Sequence, residues 1–62
     1  MSDQKIMEIE YFLEDGTLVF SEPMIFRRLW AVGDDLVHEY RSYAVLSVEI
    51  EDNKQIVTIR QR

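Results

Sequence analysis

The sequence contains no cysteine, one proline, two glycines and two alanines, and no long apolar run. Each shortage excludes something. Without cysteine there is neither a disulfide framework nor a thiolate zinc site, so a domain of this size must be held by packing or by self-association, and a reducing compartment suits it. No stretch approaches the ~20 apolar residues of a membrane helix, and Met1-Ser2-Asp3-Gln4-Lys5 lacks the basic and then apolar run of a secretion signal. A soluble, cytoplasmic chain with no membrane partner is therefore expected. With so little glycine and proline there is no candidate linker, internal repeat or low-complexity tract.

Basic charge is also scarce. Seven Lys and Arg stand against 12 Asp and Glu, a net charge of −5 and the opposite of a general nucleic-acid binder's footprint, so nucleic acid is disfavoured as a partner. The imbalance lies in residues 1–24, with six acids and one base, whereas residues 25–62 carry six of each. Length sets a further bound. At 62 residues the chain reads as one domain, 1–62, and a chain this short buries only about 60% of the surface its unfolded form exposes. A deep substrate cleft is not expected, and neither is enzymatic activity.

What the sequence has in quantity is strand formers: 21 of its 62 residues are Val, Ile, Thr or aromatic. Met7, Ile9, Tyr11 and Leu13 alternate with Glu8 and Glu10, the period of a half-buried strand, and Glu14-Asp15-Gly16-Thr17 turns the chain into Leu18-Val19-Phe20. A second hairpin is expected where Ala44, Leu46, Val48 and Ile50 alternate with Ser47, Glu49 and Glu51. There Asp52-Asn53-Lys54 makes the turn, and Gln55 to Arg60 returns with Val57 and Ile59 on one face and Ile56, Thr58 and Arg60 on the other. Between the hairpins, Met24-Ile25-Phe26 reads as an edge strand entered through Pro23. The alternative is a short helix near 22–32, capped by Ser21 and carrying Ile25, Phe26, Leu29 and Trp30 at helical spacing. Val32-Gly33-Asp34-Asp35 turns into a short strand, Leu36-Val37-His38, and Glu39-Tyr40-Arg41-Ser42 forms the loop that follows.

These elements make about five strands, too few for two sheets and enough for a single small antiparallel sheet curled into a barrel, which hides its edges. Val32-Gly33-Asp34-Asp35-Leu36, Tyr43-Ala44-Val45-Leu46-Ser47-Val48 and Ile56-Val57-Thr58-Ile59 resemble the SH3-like small barrels, in which a Gly-Asp turn feeds a strand and an aliphatic hairpin follows. The resemblance covers about half the chain and implies a mainly β, SH3-like fold; it hardly bears on activity.

Ingredients for chemistry are few. His38 is the sole histidine, with Asp34, Asp35, Glu39, Ser42 and Ser47 nearby in sequence, yet there is no nucleophile-elbow pattern and no spaced ligand set for a metal. Neither catalytic residues, metal nor cofactor is expected. Glu8 and Glu10 share a strand face but have no cleft to work in. The informative set is Arg27, Arg28, Trp30, Tyr40, Arg41 and Tyr43, because Arg, Trp and Tyr are the residue types that dominate interface hot spots. A protein-interaction or assembly module using that set is the expected function. The alternatives are a nucleic-acid-binding barrel using the same arginines, and an acidic mimic of nucleic acid that presents Asp3, Glu8, Glu10, Glu14, Asp15 and Glu22 to a basic protein, joined by Glu49, Glu51 and Asp52 if the two hairpins lie together. A homodimer is a further expectation, since Met24, Ile25, Phe26, Leu29, Trp30 and Val32 are much apolar surface for one small core to cover.

Overall fold

The computed structural model describes residues 6–24 and 29–62. Five strands follow one another: β1 (Glu8–Leu13), β2 (Leu18–Pro23), β3 (Asp35–His38), β4 (Arg41–Glu51) and β5 (Lys54–Gln61). They form one sheet in the order β2-β1-β5-β4-β3, curled into a half-barrel whose shape is compatible with the SH3-like small barrels. The mainly β, five-strand reading holds. Among the described residues there is no helix, and none is long and apolar enough to cross a membrane. Ser21, Glu22 and Pro23 extend β2 and cap no helix, and Pro23 ends an edge strand, where its missing N–H costs no ladder bond. Residues 25–28, the centre of the helical alternative, lie outside the described residues.

One pairing departs from the expected all-antiparallel sheet: β1 and β5 run parallel, with Ile9 beside Gln55, Tyr11 beside Val57 and Leu13 beside Ile59. The cause is the connection after β2. It carries the chain to the far edge of the sheet, where β3 starts, and two hairpins then bring β5 back beside β1 in the same direction. Parallel neighbours need such a long crossover.

The core lies on the inner face. Ile9, Tyr11, Leu36, Tyr43, Val45, Val57 and Ile59 are buried, and each aliphatic member contributes about 1.5–3 kcal/mol of transfer free energy. On β5 the period-two pattern is complete: Gln55, Val57 and Ile59 face inward, while Ile56, Thr58 and Arg60 face out, as the alternation predicts. Two bulges drive the curl. The register shifts opposite Tyr11 and Phe12, leaving Val19 extra on β2, and again between Val45 and Ser47, leaving Leu46 extra on β4. An extra residue bends its strand and increases the local twist.

The turns are tighter than the sequence suggests. Gly16 closes the first at φ 94°, the positive value expected of it, and Asp52-Asn53 closes the last, with Lys54 already in β5. The expected four-residue loop 39–42 is a two-residue turn, Glu39-Tyr40. Arg41 and Ser42 belong to β4 and pair with His38 and Val37.

Candidate functional site

The six residues singled out for binding do not converge. Tyr43 is 5% exposed and belongs to the core, because the short turn places it opposite Leu36 on the inner face. It serves the fold, a correction to its place in the surface set. Trp30 is half-buried against the core, and both of its N–H groups are committed: its backbone N–H donates to Gln55 Oε1 at 2.8 Å and its indole Nε1–H to the Tyr11 hydroxyl at 2.9 Å. Its ring meets Tyr11 edge-on at 6.3 Å. Trp30 is thus a partly buried lid on the core. Arg27 and Arg28 lie outside the described residues.

Tyr40 and Arg41 have the opposite character. Tyr40 is fully exposed and is the one aromatic residue so exposed among the described residues. It shares the β3–β4 turn with Glu39, and both take left-handed conformations, φ 51° and 67°. A two-residue hairpin of this twist requires positive φ at both positions and favours Asn-Gly; an ordinary side chain there costs roughly 1–2 kcal/mol per residue. The β4–β5 turn has the same geometry, φ 48° and 67°, built from Asp52 and Asn53, which tolerate it.

Charge sharpens the contrast. Lys54 pairs with Glu10 at 3.3 Å, Arg60 with Glu14 at 2.9 Å and Arg62 with Asp35. Arg41 alone among the described Lys and Arg residues has no acidic partner. Arg60 grips Glu14 with two nitrogens, at 3.0 and 2.9 Å, and that hydrogen bonding holds the Glu14 carboxyl below the usual carboxylate range and the guanidinium above its own. The pair walls an open depression of about 270 Å³ at the end of β5, where Glu14 and Arg60 are occupied with each other and Asp15 accepts from the Thr17 amide.

Three residues that carry the site's architecture escape a reading by residue type. Gln55 is fully buried, accepting from Trp30 and donating Nε2–H to Met24 Sδ at 3.6 Å. Its signal was positional, two residues before Val57 on the inward register. Phe20 stacks on Tyr11 at 4.1 Å and on His38 at 3.6 Å, with the His38 and Phe20 rings 3° from parallel, so side chains link the two edge strands where no ladder does. Glu22 accepts the Tyr11 hydroxyl proton, which leaves that buried phenol satisfied. His38 therefore lies flat on Phe20, with Glu39 at 3.9 Å, while Ser42 on the next strand pairs with Val37 and faces the other way.

The outer face gathers acid. Glu8 and Glu51 flank Lys54, and Glu10 and Glu49 flank Ile56, in two rows across β1, β5 and β4. The two hairpins do lie together, and Glu49 and Glu51 join the acids of β1. Comparison with protein-family models, with curated proteins and with solved structures yields no match to this chain.

Proposed function

We propose that this chain is a non-enzymatic protein-interaction module of the SH3-like small-barrel kind, gripping its partner with the tip of the β3–β4 hairpin, Tyr40 and Arg41. The observation that carries this reading is the Glu39-Tyr40 turn. An exposed aromatic ring is held where the backbone disfavours it, and strain of this sort clusters at binding and switch positions. The neighbouring uncommitted guanidinium adds a bidentate donor for carboxylate. Tyr and Arg together are the residue types that anchor interfaces.

The test replaces Glu39-Tyr40 by Asn-Gly. The fold is expected to gain about 1 kcal/mol from better turn chemistry. The partner, captured from the native cell extract by a photo-crosslinking residue at position 40 and absent when that residue sits at position 53, is expected to be lost by the Asn-Gly variant in pull-down. A variant that melts higher and still retains the partner sinks the reading.

A second reading rests on the outer face. Four carboxylates around Lys54 suit a basic partner, as in a mimic of nucleic acid. Loss of the same captured protein on Glu10→Lys and Glu49→Lys, with the turn variant inert, favours it over the hairpin.

A further inference from the structure

Among the described residues both edges of the sheet are unpaired, and the two are unequal. β2 is protected twice: the extra Val19 distorts its ladder, and Pro23 has no N–H to offer. β3 has neither device. In an antiparallel ladder alternate residues turn their backbone groups toward the partner strand and away from it. His38 and Arg41 close the turn, and Val45 N–H donates to Asp34 C=O at 2.9 Å, so Asp34, Leu36 and His38 point toward β4. Asp35 and Val37 then direct their N–H and C=O groups outward, and Val37 is 69% exposed. No Cα atom of β2 comes within 8 Å of one in β3. The Phe20–His38 ring stack bridges that gap, so an added strand has to straddle or displace it.

We propose that β3 accepts an extended, acidic segment of a partner protein as a sixth strand. Its backbone bonds to Asp35 and Val37, an apolar side chain covers Val37, and a carboxylate reaches Arg41. Backbone addition at an open edge supplies affinity, and the flanking side chains supply choice. The unpaired Arg41 selects for acid. A second copy of this chain suits the edge poorly: β3 against β3 in antiparallel register on Val37 sets Asp35 opposite Glu39 of the other copy, and like charges directly opposite destabilise a pair. The inference rests on the hairpin reading for Tyr40 and Arg41 and adds a backbone role for β3.

The probe is an eight-residue peptide of alternating valine and glutamate, added at millimolar concentration to the isotope-labelled full chain, with the valine–lysine peptide as control. Amide shifts are expected to change over residues 35–41, and hydrogen exchange at Asp35 and Val37 to slow. Arg41→Glu should weaken binding about tenfold, the loss of one charge-assisted bond. Val37→Pro removes an outward N–H that no ladder bond uses and should abolish binding; if that variant unfolds, the exchange rates of the unaltered chain decide alone. Unchanged exchange at Asp35 and Val37, an equal response to the lysine peptide, or shifts that track protein concentration without peptide each overturn strand addition. If exchange is unchanged while the Asn-Gly turn still loses the crosslinked partner, the hairpin reading stands and the sixth strand falls.

Discussion

Two hairpin turns in this molecule share one geometry and differ in chemistry. At Asp52-Asn53 the residues are those that tolerate left-handed backbone, and the turn does no more than reverse the chain between β4 and β5. At Glu39-Tyr40 the same dihedral angles are imposed on residues that resist them, and a whole aromatic ring stands in water. The first turn is what folding alone selects. The second teaches that the surrounding ladder, from Asp35–Ala44 to His38–Arg41, can force an unfavourable pair into place and hold a side chain at a defined point of the surface.

The largest effect that would break this contrast concerns which aromatic residues hold the fold. Trp30→Ala removes the lid over Tyr11 and the indole donor to its hydroxyl while keeping the backbone N–H that Gln55 accepts, so chemical denaturation is expected to show a loss of about 3 kcal/mol. Tyr40→Ala should stay within about 0.5 kcal/mol of the original protein. Equal losses at the two positions would mean that Tyr40 is a structural residue after all.

Moving the disfavoured pair is the next test. Asp52-Asn53 replaced by Glu-Tyr should cost about 1–2 kcal/mol, measured by the same denaturation, because the β4–β5 turn would then bear the strain now confined to β3–β4. No loss there would show that position, and not residue type, governs the turn.

The smallest effect lies at the β1–β2 turn, where the Arg60 hydrogen bonds lower the Glu14 carboxyl and the Thr17 side chain, followed by its amide, lowers that of Asp15. A carboxyl lowered by folding stabilises above its unfolded pKa of about 4 and loses that contribution as pH falls through the folded value. Both groups are exposed and screened by solvent. Glu14→Gln is expected to lower the melting temperature slightly at neutral pH and to leave the acid end unaltered, so that the acid limb flattens; a steeper acid limb would contradict the pairing with Arg60.

Much of the sheet was legible because it is written in local alternation. Ile9, Tyr11 and Leu13, like Val57 and Ile59, declare their face by period two. The direction of β5 relative to β1 has no local signature, since it depends on where an eleven-residue connection delivers the chain, and so the parallel pair was missed. Tyr43 and Tyr40 look alike in sequence and end in opposite environments. Whether two or four residues make the turn decides which side of β4 Tyr43 takes, and a residue-type argument cannot count that. Trp30 was undecidable for a related reason: its hydrogen-bond partners are 19 and 25 positions away. Gln55 shows the limit of polarity as a guide, for a buried amide on an apolar register is recognisable only once its neighbours are in place.

The side-by-side placement of β1 and β5 has a consequence for biosynthesis. The middle of the sheet is assembled from the first and the last of these five strands to be made, so until residues 54–61 emerge the nascent polypeptide holds the β1–β2 ribbon and an unfinished second one, each with a greasy side uncovered. Shortening the chain by one strand at its C-terminal end would remove the central seam of the molecule and leave two separate fragments of sheet.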